Sequence, residues 1–294
     1  MPHRQGFPRG WRFRAETRAA PQVPLEARSP FDLRVDLGKD VPETDVRTAL
    51  AQGDMGFMHS FTTGSAVDGP GIRVVGWTTG CMWRCQYCHN PDTWTMRNGI
   101  PVSVLQALEE LRKYRYGLKV MGGGVTISGG EPLMQRRFVM KVLAGAKAMG
   151  IHTALETNGF LGEELTDSDL DDIDLVLLGI KTWDRERHRA LTGRDNEPTL
   201  ELARRLADRR LPVWVRFVLV PGLTDDPADI AQIAAFAAKL GNVERVEVLP
   251  FHQMGRFKWE TLGIRYVLEA TEPPSPEAVA AACATFRAQG LTAH

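Results

Sequence analysis

From residue 57 onward, short runs of hydrophobic residues alternate with longer stretches in which hydrophobic residues recur at helical spacing. The short runs are rich in Val, Ile and Leu, which is typical of buried strands. The predicted strands are Ile72–Trp77, Val125–Ser128, His152–Glu156, Leu175–Ile180, Val213–Val220 and Arg245–Leu249. The predicted helices are Val104–Tyr114, Arg136–Met149, Thr199–Arg210, Ala228–Leu240 and Pro276–Gln289.

The order of these segments indicates how the sheet is built. Strands that are joined by helices run parallel, and their crossovers are almost always right-handed. Six such strands curl into a barrel or part of one, so we predict an α/β fold with a partial (β/α)6 barrel. Functional groups in such folds gather at the carboxyl ends of the strands.

Residues 1–54 differ from the rest of the chain in composition. The first 28 residues contain six arginines and two glutamates, prolines are frequent, and little hydrophobic periodicity precedes Thr44. A segment of this kind buries too little apolar surface to fold by itself. We therefore predict a loose N-terminal extension over residues 1–54, with a short helix at Asp45–Ala51, and one folded domain over residues 55–294.

Composition narrows the class of protein. Hydrophobic residues make up 43% of the chain and charged residues 24%, as in typical globular proteins. Acidic and basic residues balance at 36 each, which gives no reason to expect general binding to nucleic acid or membranes. No apolar run approaches the roughly 20 residues that span a bilayer. We expect a cytoplasmic monomer without nucleic-acid or membrane partners.

Three of the four cysteines lie close together, shortly after the first predicted strand. Cys81, Cys85 and Cys88 are separated by three and then two residues, which indicates metal ligation in a reducing compartment. Three thiolates can hold a four-iron cluster and leave one iron without a protein ligand. They could instead bind zinc, with His89 as the fourth ligand. Cys283 lies in an apolar helical stretch, where we expect a small buried residue.

Other candidate residues stand at or near the predicted strand ends. The segment Gly129–Glu131 offers a bare backbone that a ligand can approach and a carboxylate that could accept hydrogen bonds from an ammonium group. Lys181 and His252 follow later strands, where each is either functional or an ordinary polar residue. Arg216 lies within an apolar strand, so we expect its side chain to point toward an anion inside the barrel.

Several motifs, in this order along the chain, resemble one enzyme family. The three clustered cysteines, with Tyr87 before the last one, and the later Gly-Gly-Glu segment resemble the radical S-adenosylmethionine superfamily. Within it, the chain is similar to the pyruvate formate-lyase activating enzymes from about Phe57 onward. The matching stretches are Val67–Arg73, Tyr87–Asn90, Gly122–Glu131, Thr157–Phe160, Leu249–His252 and Lys258–Trp259.

The resemblance implies a radical reaction. Cys81, Cys85 and Cys88 would hold a [4Fe-4S] cluster whose open iron binds S-adenosylmethionine. An electron from a flavodoxin or ferredoxin would lead to a 5′-deoxyadenosyl radical, which removes a hydrogen atom from a glycine of pyruvate formate-lyase. The residues that match cosubstrate-binding positions are Tyr87, His89, Gly129, Gly130, Glu131, Asn158, Lys181 and His252. Those that match the substrate side are Asp68 and Arg216.

The chain departs from the family pattern at two positions, apart from its N-terminal extension. The family uses two aspartates to help bind a monovalent cation beside the cosubstrate, but Glu156 and Gly179 stand at these positions here. The departure puts that cation in doubt, although the longer Glu156 side chain or the charge of Lys181 could compensate.

The sequence leaves two alternative functions open. The same chemistry could act on another glycyl radical enzyme or on a small molecule. The chain could also be a non-catalytic zinc or electron-transfer module. No cysteine-rich insertion follows the three-cysteine motif, and this favours the pyruvate formate-lyase type of activating enzyme.

Overall fold

The computed structural model of the protein describes residues 43–294. Its strands are β1 Met55–Ser65, β2 Arg73–Thr78, β3 Ile100–Ser103, β4 Gly124–Gly129, β5 His152–Thr157, β6 Leu175–Gly179, β7 Val213–Leu219 and β8 Val243–Pro250. They form one sheet in the order β3-β1-β2-β4-β5-β6-β7-β8. Most of the predicted N-terminal extension lies outside the described residues, and that division of the chain stays a prediction.

The helices are α1 Glu43–Gln52, α2 Val104–Val120, α3 Arg136–Ala148, α4 Asp167–Asp171, α5 Arg185–Thr192, α6 Glu197–Asp208, α7 Pro227–Leu240, α8 Arg256–Thr261 and α9 Pro276–Ala288. Local sequence explains their ends: Ser103 and Gln106 form a capping box at the start of α2, and Gly241 ends α7 with a φ of 74°. Within residues 43–294, no helix is long and apolar enough to cross a membrane.

The six predicted strands are present, with bounds within two residues of the prediction. These six strands, β2 and β4 to β8, pair in parallel. Helices connect them in sequence, as the pattern predicts, except that α4 between β5 and β6 was not predicted. The open mixed sheet is consistent with the predicted partial barrel of the radical S-adenosylmethionine type.

Two strands that the sequence pattern does not predict, β1 and β3, extend the sheet at one edge. Both pair antiparallel, β1 with β2 and β3 with β1. β1 contains His59 and several Ser, Thr and Gly residues, and much of it is only half-buried, so it lacks a continuous apolar run. β3 has four residues and contains Pro101, which a strand tolerates at the edge of a sheet.

Alternation along the strands separates the core from the interior of the barrel. In β4, Val125 and Ile127 join the main hydrophobic core with residues of the surrounding helices. Thr126 and Ser128 lie between them and point to the opposite face, as period-two geometry requires. There, Ser128 donates a hydrogen bond to a carboxylate of β5. The inner face of the sheet is therefore where polar side chains meet.

Candidate active site

The three clustered cysteines lie in the loop after β2, and this loop is fixed against α5. The Arg84 amide donates a hydrogen bond to the Thr192 carbonyl (2.8 Å). The Gln86 amide donates to the Leu191 carbonyl (3.1 Å). Carbonyls in the last turn of a helix have no partner within the helix, so they are free to accept these bonds. The end of α5 thus anchors the loop between Cys81 and Cys88.

All three clustered thiols are free and half-buried. Burial raises the pKa of Cys81 and of Cys85 above the ordinary value of a thiol, and it raises the pKa of Cys88 to about 12. A thiolate at any of these positions therefore needs a nearby positive charge. The charge of Lys181 acts in this direction on Cys85, and bound iron would do so more strongly.

Two buried polar atoms beside the cysteines have no hydrogen-bond partner within the described part of the chain. They are the Tyr87 hydroxyl and the indole nitrogen of Trp83. Trp83 is 1% exposed and packs edge-on against His188, with ring centroids 4.9 Å apart. Since buried polar groups in folded proteins are almost always paired, these atoms fit a site that binds a further group. The thiols and their surroundings therefore fit an iron–sulfur cluster.

His89, the fourth ligand in the zinc alternative, packs against His252 instead of pointing away from the protein. Their rings meet edge-on with centroids 4.7 Å apart. Burial and the neighbouring His252 lower the pKa of His89 to about 4, so the ring is neutral at physiological pH. In the described range, no group of three His, Cys, Asp or Glu side chains is arranged to hold a single metal ion.

The turn after β4 joins the cysteine loop through its backbone. The Gly130 amide donates to the Thr78 carbonyl (2.9 Å), and the Glu131 amide donates to the Gly80 carbonyl (2.7 Å). A Cβ atom on Gly129 would lie 2.2 Å from the Thr78 backbone, and one on Gly130 would lie 2.4 Å from the Gly80 carbonyl oxygen. Both glycines are therefore required for close packing against the end of β2, whatever ligand approaches them.

Glu131 is fully buried, and its carboxylate accepts three hydrogen bonds. Oε1 accepts from the Thr157 hydroxyl (2.7 Å) and the Leu133 amide (3.0 Å). Oε2 accepts from the Asn158 amide (2.8 Å). Burial raises the pKa of Glu131 to about 7, and these hydrogen bonds limit the rise. Its predicted interaction with an ammonium group stays a prediction.

Arg216 points into the barrel, and the anions around it are the chain's own carboxylates. Nη1 donates to Glu156 (2.6 Å) and lies 3.4 Å from Asp68. Nε donates to Glu247 (3.0 Å), and Nη2 donates to the Val67 carbonyl (2.9 Å). The expectation that this arginine faces an anion is confirmed. Asp68, whose loop precedes β2, reaches Arg216 at the middle of β7.

The three carboxylates around Arg216 differ in their protonation equilibria. Burial raises the pKa of Asp68 and of Glu247. Burial would do the same to Glu156, but Arg216 and the hydrogen bond from Ser128 (2.6 Å) lower its pKa below the ordinary value. Two further cations act on this group: Arg245 lies 3.9 Å from Glu247, and the charge of Lys181 also lowers the pKa of Glu156.

Because Gly179 has no side chain, the side chain of Lys181 can lie close to its backbone. Lys181 Nζ lies 2.8 Å from the position that a Cβ atom on Gly179 would take. The same ammonium is 6.0 Å from the centroid of the Tyr87 ring, and its charge helps to lower the pKa of Glu156. The structure thus brings Lys181 and Tyr87 together beside the cysteine loop.

Asn158 adjoins Glu131 and helps to shape the end of β5. Its side-chain oxygen accepts a hydrogen bond from the Phe160 amide (2.9 Å), and its carbonyl accepts one from the Thr199 hydroxyl (2.6 Å). The predicted residues form four pairs: Glu131 with Asn158, Lys181 with Tyr87, His89 with His252, and Asp68 with Arg216.

Some residues around the site were not identified from the sequence. Glu247 in β8 pairs with Arg216, and Asp92 binds both His59 and Lys258. Alternation of polar and apolar residues along β8 would have placed Glu247 on the inner face. Nothing in local sequence indicates the partners of Asp92, because they lie 33 and 166 residues away along the chain.

Comparison with known proteins establishes the family. The sequence profile of the Radical SAM superfamily matches residues 75–234. A pyruvate formate-lyase-activating enzyme of Staphylococcus epidermidis is 43% identical over 231 residues, or 76% of this chain and 92% of that protein. One from Listeria monocytogenes is 43% identical over 234 residues, or 78% of this chain and 94% of that protein. The chain belongs to this family of radical SAM enzymes.

Family membership and a solved structure agree on the architecture. SuiB of Streptococcus suis, in a structure with S-adenosylmethionine bound, has a TM-score of 0.54 and is 16% identical, covering 73% of this chain and 47% of that chain. At this identity the likeness concerns the fold alone. Membership of the radical SAM superfamily implies a [4Fe-4S] cluster and S-adenosylmethionine, and the three free thiols fit this cluster.

Proposed function

We propose that this chain activates a glycyl radical enzyme and that its partner is pyruvate formate-lyase. The observation that carries the proposal is 43% identity to pyruvate formate-lyase-activating enzymes over 92% and 94% of their lengths. The three cysteines and the Gly129–Glu131 turn lie inside the part of the chain that matches the superfamily profile.

The cysteine loop is the proposed cluster site. Cys81, Cys85 and Cys88 would hold a [4Fe-4S] cluster, which when bound supplies one electron to S-adenosylmethionine at its open iron. The anchor on α5 and the burial of the thiols keep this loop ordered and limit the access of water.

Glu131 is the proposed partner of the cosubstrate's ammonium group. With a pKa of about 7, its carboxyl is close to half-ionised at neutral pH. A nearby ammonium favours the ionised form and would lower this pKa, and each carboxylate oxygen can accept more than one hydrogen bond. We propose that the other residues around the cosubstrate are Tyr87, His89, Gly129, Gly130, Asn158, Lys181 and His252.

Asp68 and Arg216 are the proposed contacts for the partner's glycine segment. Arg216 holds the loop before β2 by donating to the Val67 carbonyl (2.9 Å). Asp68 is held in turn by the Ser65 hydroxyl (2.5 Å). A peptide backbone carries both donors and acceptors, so this charged and ordered pair can fix its position through hydrogen bonds.

We infer that this chain requires no monovalent cation beside the cosubstrate. Both oxygens of Glu156 already accept hydrogen bonds at 2.6 Å, from Ser128 and Arg216. Lys181 Nζ lies within 2.8 Å of the place where a side chain at Gly179 would begin. The rate of 5′-deoxyadenosine formation should be equal in potassium and tetramethylammonium chloride, and a strict dependence on potassium would overturn this inference.

The remaining partners follow from the proposed chemistry. We propose a flavodoxin or ferredoxin as the electron donor, because the cluster must be reduced one electron at a time. We also propose that the enzyme acts as a monomer in the cytoplasm, where reducing conditions keep its four cysteines as thiols.

Anaerobic reconstitution tests the function directly. The purified chain should bind about four irons, form 5′-deoxyadenosine from S-adenosylmethionine after reduction, and raise a glycyl radical signal on pyruvate formate-lyase. Cys85→Ala should lose the cluster, because two thiolates cannot hold it. The matched control Cys283→Ala should keep its iron content, since Cys283 is buried in the core.

Each contrary result would reject a specific part of the proposed function. Cleavage of the cosubstrate without a radical on pyruvate formate-lyase would assign the chain to another glycyl radical enzyme or a small molecule. A colourless protein with one tightly bound zinc would reject the radical mechanism altogether. Retention of four irons by Cys85→Ala would reject the ligand assignment.

A further inference from the structure

The segment that follows β8 folds back onto the cysteine loop, and the proposed mechanism gives it no role. It consists of a short turn, Gln253–Gly255, and α8. Lys258 and Trp259 within it belong to the stretches that resemble the family. Both side chains point at residues 88–94, which include the last cysteine.

Trp259 binds the cysteine loop through its ring and its indole nitrogen. It is 4% exposed. Nε1 donates a hydrogen bond to the Cys88 carbonyl (2.9 Å). The ring packs edge-on against Trp94, with centroids 5.1 Å apart, and the Trp94 carbonyl in turn accepts a hydrogen bond from the Cys81 amide (3.1 Å). One buried side chain thus contacts both ends of the cysteine motif through Cys88 and Trp94.

Lys258 binds the next residues of the same loop. Its ammonium donates to Asn90 Oδ1 (2.8 Å) and lies 3.0 Å from Asp92 Oδ2. Asp92 is 4% exposed and also contacts His59 Nε2 in β1 (2.9 Å). Lys258 therefore helps to compensate a buried carboxylate four residues after Cys88 and links α8 through that carboxylate to β1.

The segment after β8 and the cysteine loop pack closely against each other at Gly255. A Cβ atom on Gly255 would lie 2.6 Å from the His89 carbonyl oxygen. A residue with a side chain at this position would push α8 away from the loop. The close approach, the indole hydrogen bond and the ion pair all act on Cys88 and the four residues after it.

We propose that Lys258 and Trp259 are positioning residues that hold the cysteine loop in its ligating conformation and set the electrostatic environment of the cluster. The proposal rests on the proposed cluster site. Trp259 keeps the Cys88 backbone in place, and Lys258, together with His59, offsets the negative charge of Asp92 near the Cys88 sulfur. Net charge, hydrogen bonds and solvent access are the features by which a protein controls the retention and potential of such clusters.

Two variants separate the two contributions. Trp259→Phe keeps an aromatic ring but removes the hydrogen bond to Cys88, so iron release to a chelator should accelerate about fivefold. Lys258→Met removes the ammonium group beside Asp92 and leaves only the contact with His59, so the midpoint potential of the cluster should become more negative. Lys258→Arg restores the charge and should return the potential toward that of the wild-type protein.

Arg256→Gln provides the matched control. Arg256 lies on the same helix but pairs only with Glu260 and Glu269 at the surface, within the described residues. This variant should leave the chelation rate and the potential unchanged. Circular dichroism and melting of the reconstituted proteins verify that each variant is folded.

The outcomes distinguish this inference from the proposed function. A wild-type protein that binds no four-iron cluster overturns both. A wild-type protein that binds the cluster, with Trp259→Phe releasing iron at the wild-type rate and Lys258→Met keeping the wild-type potential, overturns only the positioning role. Equal effects of Arg256→Gln would show a general weakening of α8 and would also reject it.

Discussion

Glu131, in the turn after β4, and Glu156, in the neighbouring strand β5, have opposite ionisation behaviour. Glu131 is surrounded by neutral donors, and burial raises its pKa to about 7. Burial would also raise the pKa of Glu156, but the guanidinium of Arg216 (2.6 Å) lowers it. Hydrogen bonds from neutral donors only limit the rise in pKa that burial causes, whereas a paired cation outweighs that rise and lowers the pKa.

The raised pKa of Glu131 makes stability dependent on pH. The ordinary pKa is 4.5 and the folded value is about 7, so the folded chain holds this proton more tightly than the unfolded chain. The unfolding free energy should therefore fall as pH rises from about 4.5 to about 7, by up to about 3 kcal/mol, and then level off.

Glu131→Gln tests this expectation, because the amide cannot ionise. Urea titrations of the cluster-free protein should show the wild type losing stability relative to Glu131→Gln across that pH interval. Parallel curves for the two proteins would mean that the carboxyl is already ionised at the lower pH.

The parts of the candidate site that are formed by residues close together in the sequence were predictable. The cysteine spacing and the Gly129–Glu131 turn are local, and the structure places both at strand ends as predicted. The partners of Arg216 were not predictable, since Glu156 and Glu247 lie 60 and 31 residues away from it. A buried arginine requires an anion, but only the register of the sheet determines which one.

Secondary structure was predictable wherever a segment buries one full face. α3 and α7 meet this condition, and their predicted bounds agree closely with the structure. α5 and α8 were not predicted, because α5 has four charged residues and a histidine among its eight residues and α8 has only six residues. Contacts with the cysteine loop stabilise both helices, and local propensity does not report such contacts.

The glycine in β1 shows how closely the first strand packs on α3. A Cβ atom on Gly56 would lie 2.3 Å from the ring of Phe138, which is 3% exposed. Gly56→Ala should lower the unfolding free energy by about 1–3 kcal/mol, because the ring cannot move without disturbing the core.

Gly117→Ala is the comparison variant for Gly56→Ala. Gly117 is exposed within α2, and a Cβ atom there meets only the end of Met121 at 3.7 Å. The substitution should raise the unfolding free energy by about 0.5–1 kcal/mol, since alanine favours a helix more than glycine does. Urea unfolding measures both changes, and equal effects of the two variants would contradict the packing described for β1.

The chain as a whole is held together by contacts between distant segments. α1 and the residues after it pack on α3: Arg137 donates to the Ala51 carbonyl (2.7 Å) and Lys141 contacts Asp54 (2.5 Å). The Val104 amide donates to the Asp54 carbonyl (2.9 Å). The residues just before Met55 thus contribute to the fold, although composition alone groups them with the preceding segment.

Two truncated chains test the predicted domain boundary. A chain that starts at residue 55 should melt at a lower temperature than one that starts at residue 43, because it lacks α1 and the Asp54 contacts. Differential scanning fluorimetry of the two chains provides the measurement. Equal melting temperatures would place the boundary at Met55, as the sequence pattern predicts.

The contact between Lys258 and Asn90 spans 168 residues of sequence, and this has a consequence for biosynthesis. A ribosome adds about 5–20 residues per second, so the cysteine loop leaves the exit tunnel roughly 10–30 s before α8. During this interval the nascent loop lacks its contacts with Lys258 and Trp259. The order of translation thus leaves a period for metal loading before α8 packs against the cysteine loop.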